Sequence, residues 1–186
     1  KDEGWATWHH KNTSAPSTEY LSISSNNATS DNEVFWNDNA FTDEEIKFND
    51  DDSTNGSYTY VAYCWTGIQG YSKFGSYTGN GNANGPFIYT GFKPAFVICR
   101  DTENAAGWHI FDNKRANSFN EITVRLEADN NDAENDSGPP DLDFLSNGFK
   151  FRTSFDNINR SGTVHIYIAF AESPFVTSGG IPCTAR

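Results

Sequence analysis

Short runs of β-branched and aromatic residues, separated by stretches rich in Gly, Asn, Asp and Ser, recur along the chain. Such runs are typical of β-strands, and the polar stretches between them are typical of turns. Strands are predicted over residues 5–10, 19–24, 57–65, 71–77, 87–89, 95–100, 107–111, 122–126, 149–151 and 163–172. Asn147 and Gly148 predict a tight hairpin turn before 149–151. The best helix candidate, residues 42–48, is short. The pattern predicts an all-β fold, an antiparallel β-sandwich of the jelly-roll or concanavalin-like type.

The run at residues 57–65 is near-continuously apolar, and it has a counterpart at residues 163–172. Tyr-Val-Ala-Tyr at 60–63 matches Tyr-Ile-Ala-Phe at 167–170. Other matches share this order, such as Gly-Trp at 4–5 with 107–108 and Ile-Lys-Phe at 46–48 with Phe-Lys-Phe at 149–151. Ordered self-similarity indicates an internal duplication, since repeats are recognised in this way. The alternative is that aromatic strands resemble one another by composition.

The duplication predicts a division of the chain. Residues 1–66 would be the C-terminal half of a first β repeat, 67–175 a complete second β-sandwich repeat, and 176–186 a C-terminal tail. It also predicts that residues 57–65 pair within a sheet much as residues 163–172 do. Because Lys1 falls inside a copy and the chain has no Met, we expect a processed product or a piece of a longer polypeptide.

Charge limits the classes of partner. The chain has 25 acidic and 13 basic residues, a formal net charge of −12 and a pI near 4.5. Nucleic acid and anionic membrane would both repel such a surface. No apolar run approaches the roughly 20 residues of a membrane helix, and no signal peptide is visible. We expect an acidic, soluble surface with no nucleic-acid partner and no membrane insertion.

The three cysteines, Cys64, Cys99 and Cys183, lack the close spacings of metal sites. Cys64 and Cys99 each lie in a predicted strand and are expected to be buried free thiols. A disulfide between them is the alternative. Cys183 stands in a polar tail and is expected to be a free thiol.

Residues that could support catalysis are sparse. Glu127, Asp129 and Asp132 have the spacing of a carboxylate pair for glycan hydrolysis. They lead into an amide-rich loop, which favours a solvated loop instead. The four His residues do not have the spacing of zinc ligands. We predict no catalytic residue and no cofactor.

One loop has the composition of a cation site. Asp51, Ser53 and Asn55 alternate before Gly56, as oxygen ligands do in a calcium loop. The Glu expected at loop position twelve is absent, and Ala62 stands there. A plain hairpin turn is the alternative, and no other metal site is predicted.

The tryptophans divide by context. Trp5, Trp8, Trp65 and Trp108 lie in strand patterns and are expected in the core. Trp36 lies in a polar setting and is the candidate ligand-binding residue. An exposed Trp can stack on a sugar face or fill a subunit interface, and interfaces are enriched in Trp.

An ordered series of motifs covers roughly residues 57–175. It includes Phe-Gly-Ser-Tyr-Thr-Gly at 74–79, Gly-Phe-Lys-Pro-Ala-Phe-Val at 91–97, Leu-Ser-Asn-Gly-Phe at 145–149 and Ile-Ala-Phe-Ala-Glu-Ser-Pro-Phe at 168–175. The series resembles the C-terminal β-rich repeat domain common in large structural proteins of marine bacteriophages. The resemblance implies a component of the extracellular virion and gives no catalytic residues to carry over.

These observations favour a non-enzymatic bacteriophage virion module for host attachment, as in a tail fibre or receptor-binding protein, or for capsid decoration. The expected partners are other virion proteins or copies of the chain itself, and a host surface glycan. A lectin-like glycan-binding module is the first alternative, and a polysaccharide depolymerase is the second.

Overall fold

The computed structural model of the protein describes residues 4–36, 38–39, 41–115, 121–135 and 141–174. The strands are β1 (Ala6–Thr7), β2 (Glu19–Ser22), β3 (Ser30–Asp31), β4 (Ser72–Thr78), β5 (Phe87–Tyr89), β6 (Pro94–Asp101), β7 (His109–Asp112), β8 (Glu121–Ile122), β9 (Leu126–Glu127), β10 (Leu142–Leu145), β11 (Gly148–Phe151) and β12 (Val164–Ala171). Each of the helices α1 (Glu33–Trp36) and α2 (Asp156–Asn159) is a single short turn. The predicted all-β fold is confirmed.

Two antiparallel sheets form the body of the molecule. One has the order β4-β12-β6-β7-β9, and the other has the order β5-β11-β10-β8. The long strand β12 pairs with β4 on one side and with β6 on the other. The predicted hairpin is present as β10–β11, with Leu145 opposite Gly148, so its turn residues are Ser146 and Asn147. The turn thus lies one residue earlier than the Asn-Gly pair predicts.

The main core lies between these sheets. Side chains alternate along a strand, so every second residue of β6 and β12 faces the four-stranded sheet. On this side Val97 and Cys99 of β6 and Tyr167 and Ala169 of β12 are buried. They pack with the apolar side chains of the opposite sheet: Ile88, Ile122, Leu142, Phe144, Phe149 and Phe151.

The N-terminal strands cover the other face of the five-stranded sheet. They form a small sheet in the order β1-β2-β3. Leu21 of β2 packs there with Trp108 and with Ile166 of β12, and the Trp108 indole N–H donates to the Ser22 carbonyl at 2.8 Å. The molecule therefore has three layers, and β12 is apolar along its length because both of its faces are covered.

Residues 57–65 correct the sequence prediction. They belong to no strand, and the side chains of Val61, Tyr63 and Trp65 are exposed. The prediction that this segment pairs within a sheet as residues 163–172 do is wrong. In this chain β12 already occupies the position between β4 and β6, and a strand-like sequence forms a strand only where backbone partners are available. The division at residues 66 and 175 stays a prediction.

A second correction concerns residues 122–126, which were predicted as one strand. Ile122 ends β8 in the four-stranded sheet, whereas Leu126 begins β9 in the five-stranded sheet. The chain crosses between the two layers here. This crossing brings Glu127 and the loop after it beside the N-terminal layer.

Candidate functional site

Three exposed aromatic side chains lie next to one another on the surface, and we call them the aromatic row. Trp5 is 51% exposed, Tyr63 64% and Trp65 61%. The ring centres of Trp5 and Tyr63 are 5.8 Å apart with an interplanar angle of 26°. Those of Tyr63 and Trp65 are 6.1 Å apart with an angle of 21°. The row is therefore a strip of nearly parallel rings facing solvent.

Two distant parts of the chain build the row. Hydrogen bonds to the turn after β2 fix the backbone of Trp5. Its N–H donates to the Ser24 hydroxyl at 3.1 Å, and its carbonyl accepts the Ile23 N–H at 3.1 Å. Tyr63 and Trp65 are two positions apart in the exposed segment 57–65, and Tyr63 lies between the other two rings.

A polar cleft of about 390 Å³ opens around Gly107, and we call it the Gly107 cleft. A Cβ atom on Gly107 would lie 2.7 Å from Glu127 Oε2 and 3.3 Å from Asp129 Oδ1. The two carboxylates thus converge on the space that a larger side chain would fill. The lining residues are Ser24, Ser25, Asn26, Ala105, Ala106, Gly107, Glu127, Asp129, Asn130 and Asn157.

Hydrogen bonds orient both carboxylates. Asp129 Oδ1 accepts the backbone N–H of Trp108 at 2.6 Å, and Glu127 Oε2 accepts the side-chain N–H of Asn130 at 2.7 Å. Each carboxylate keeps further lone pairs for other donors. Asp132, the third acidic residue of the predicted group, is exposed and donates its backbone N–H to Asn130 Oδ1. It is not part of the cleft lining.

A buried histidine lies behind the cleft. His109 is fully buried, and its Nδ1 is 3.5 Å from Glu127 Oε1. Among the described residues neither of its ring nitrogens has a hydrogen-bond partner. Burial lowers the pKa of His109 to about 3, and the nearby Arg125 and Arg100 act in the same direction. The imidazole is therefore neutral at physiological pH.

Ser24 connects the two features. Ser24 lines the Gly107 cleft, and its hydroxyl accepts the backbone N–H of Trp5. The backbone of Trp5, at one end of the aromatic row, therefore lies beside a residue of the cleft lining. Sequence reasoning missed this arrangement, because the Gly-Trp pair at 107–108 was identified only as a match to residues 4–5.

The structure buries Trp36, whereas its candidate ligand-binding role assumed an exposed ring, and ligand binding by Trp36 stays a prediction. Its side chain is only 3% exposed, its indole N–H donates to the Glu19 carbonyl at 3.2 Å, and its ring contacts Phe41 and Phe48. Phe41 and Phe48 follow the polar residues after Trp36 in the sequence. Their rings exclude water from the Trp36 side chain.

The other tryptophans have mixed outcomes. Trp108 is buried, as predicted, and Trp8 is half-buried against Phe41. Trp5 and Trp65 were predicted in the core and are exposed instead, because neither lies on the covered face of a sheet.

The calcium candidates form a local turn. Asp51 Oδ1 accepts the Ser53 N–H at 2.7 Å, and the Asp51 carbonyl accepts the Asn55 N–H at 2.8 Å. These bonds account for the spacing of polar residues without a cation. Within the ranges that the structure describes, no group of three or more His, Cys, Asp and Glu side chains could hold a metal ion. Calcium binding by this loop stays a prediction.

Cys64 and Cys99 are both free thiols. Cys99 is buried as predicted, and burial raises its pKa to about 12. Cys64 is exposed, so its predicted burial is wrong. It belongs to the unpaired segment 57–65 rather than to a strand. Cys183 lies outside the described residues.

Comparison with protein families identifies a match over most of the chain. A domain of unknown function (DUF7483) matches residues 1–174, a range that takes in the N-terminal layer and the sandwich. No match was found among curated proteins or among solved structures. In the described part of the chain, no helix has the length and apolar character required to span a membrane. The matched range covers nearly the whole chain, and the protein therefore belongs to the DUF7483 family.

Proposed function

We propose that the protein is a non-enzymatic module of a bacteriophage virion that serves in host attachment or capsid decoration. The observation that carries the proposal is the aromatic row, in which Trp5, Tyr63 and Trp65 are all more than half exposed. Exposed apolar surface of this kind is typical of interaction sites. The motif series of residues 57–175 supports the virion context by its resemblance to phage structural proteins.

The Gly107 cleft offers hydrogen-bond acceptors to a ligand. Asp129 accepts a hydrogen bond from the Trp108 backbone N–H and Glu127 accepts one from the Asn130 side chain, and these bonds fix the directions of both carboxylates. The carboxylates of the cleft therefore serve as hydrogen-bond acceptors.

Immunogold electron microscopy of purified phage particles that encode the protein tests the virion context. Antibody raised against the purified chain is expected to label every intact particle. Gold at the tail supports host attachment, and gold over the capsid supports decoration. Particles that carry no gold, while the protein is detected in the lysed cells, would contradict the proposal.

A further inference from the structure

We propose that the aromatic row and the Gly107 cleft together form one binding site for an uncharged polysaccharide. The proposal rests on the proposed attachment function and names its ligand. One part of the site offers aromatic faces and the other offers hydrogen-bonding groups. A sugar has both an apolar face of C–H groups and a rim of hydroxyl groups, so these two kinds of surface match it.

The row supplies the stacking surface. Trp5, Tyr63 and Trp65 are nearly parallel to their neighbours at centre distances of 5.8 and 6.1 Å. Successive sugar rings of a linear chain can contact successive aromatic rings, because the electron-rich ring face attracts C–H groups. The position of Trp5 is set by its backbone bonds to Ile23 and Ser24, so part of the platform exists before the ligand binds.

The cleft supplies the hydroxyl partners. Asp129 and Glu127 approach each other across Gly107, and the bonds from Trp108 and Asn130 fix their directions. Their remaining lone pairs can accept hydroxyl protons, and charge-assisted bonds of this type are the stronger class. A side chain at position 107 would close the space, since its Cβ would lie within 2.7 Å of Glu127.

His109 lies behind Glu127 and is not part of the cleft lining. It is fully buried, its ring nitrogens have no hydrogen-bond partner in the described structure, and its Nδ1 is 3.5 Å from Glu127 Oε1. A buried polar group without a hydrogen-bond partner is unfavourable.

The charge of the site selects among glycans. No Lys, Arg or His is among the described lining residues of the cleft, whereas Glu127 and Asp129 both are. The chain as a whole has a net charge of −12. Uronates and sulfated sugars would be repelled, so the ligand is an uncharged polysaccharide.

Affinity electrophoresis with the purified chain tests the site. The uncharged probes are soluble β-1,3-glucan, hydroxyethyl cellulose and galactomannan, and the anionic probes are alginate and carrageenan. At least one uncharged polysaccharide is expected to retard the wild type. Trp65→Ala and Asp129→Asn should each weaken binding at least tenfold. Phe87→Ala, which removes an exposed aromatic ring outside the site, should leave it unchanged.

Circular dichroism and thermal unfolding establish that the variants fold. If Asp129→Asn fails to fold, the binding of Trp65→Ala alone decides the test. Trp65 is exposed, so its substitution should not affect folding. Binding only to anionic probes, binding to none, or equal binding by wild type and Trp65→Ala would overturn the proposal. Release of reducing ends by the wild type but not by Glu127→Gln would replace binding with hydrolysis.

The two proposals can fail separately. Gold-labelled particles together with a chain that binds no uncharged polysaccharide would leave the virion function standing and remove the glycan site. Glycan binding together with unlabelled particles would support the glycan site and contradict the virion function.

Discussion

The position of a tryptophan ring in this protein depends on which distant side chains reach it. Trp36 stands among polar neighbours in the sequence, yet Phe41 and Phe48 contact its ring and leave it 3% exposed. Trp65 ends a run of strand-forming residues, yet it is 61% exposed. Local context therefore gave the wrong burial for both residues.

The pair provides a direct test of burial. Trp36→Ala should lower the free energy of unfolding by about 3–5 kcal/mol, because it leaves a cavity in an aromatic cluster. Trp65→Ala should change it by no more than about 0.5 kcal/mol, as is usual at exposed positions. Urea denaturation of both variants beside the wild type measures the difference. Similar losses in the two variants would contradict the burial described here.

The candidate site could be predicted only in part. The residue types of the Glu127 and Asp129 pair were visible in the sequence. The cleft between them was not visible in the sequence, because it depends on the approach of β9 and the N-terminal layer to Gly107. Contacts between residues far apart in the chain leave little trace in local pattern.

At the scale of elements, two segments of similar sequence take different structures. Residues 167–170 lie in β12, between two paired strands, whereas residues 60–63 lie in no strand. Both have high strand propensity, so propensity does not separate them. The two segments differ in their backbone partners, because residues 167–170 pair with β4 and β6.

Limited proteolysis with chymotrypsin should find this difference. We expect cleavage after the exposed aromatic residues of segment 57–65 among the first cuts, with β12 intact. Proteases need an accessible stretch of backbone, and a central strand offers none. Mass spectrometry of the early fragments identifies the sites.

A control variant replaces Tyr58, Tyr60, Tyr63 and Trp65 with Ser and should lose these early cuts. Early cleavage within β6 or β12 of the wild type would show that the layers are not packed as described.

Most strands of the sandwich were predictable because their alternation or apolar run coincides with real burial. Phe87–Tyr89 has the bounds that its sequence predicts, and Val164–Ala171 falls within the predicted range. The failures at 57–65 and 122–126 concern pairing rather than propensity. Pairing is a property of the sheet and is not encoded in one segment alone.

At the scale of the whole molecule, three buried histidines link stability to pH. Burial lowers the pKa of His9 to about 4 and that of His109 to about 3. It also lowers the pKa of His165, while Asp101 opposes and Arg160 adds to this effect. All three are neutral in the folded protein near pH 7, whereas in the unfolded chain they titrate near pH 6.5.

Stability should therefore fall as the pH drops from about 6.5 towards 4. In that window the unfolded chain binds protons that the folded protein excludes, and each such His contributes up to about 1.4 kcal/mol per pH unit. The raised pKa of Asp141 has the opposite effect near the acid end. Urea denaturation at pH 7.5, 6.5, 5.5 and 4.5 measures the slope.

His109→Gln, which keeps a polar side chain without a titrating ring, should reduce the slope. Equal stability at all four pH values, or an unchanged slope in the variant, would contradict a neutral buried His109.

The position of the Gly107 cleft between layers has a consequence for stability. Ser24 and Asn26 belong to the N-terminal layer, whereas Glu127 and Asp129 belong to β9 of the sandwich and the loop after it. A ligand held there contacts both, and it binds only when the layers are assembled. Mass action then adds about 2.7 kcal/mol to stability at a ligand concentration of 100 times Kd. The protein would resist unfolding most when it is attached to its target.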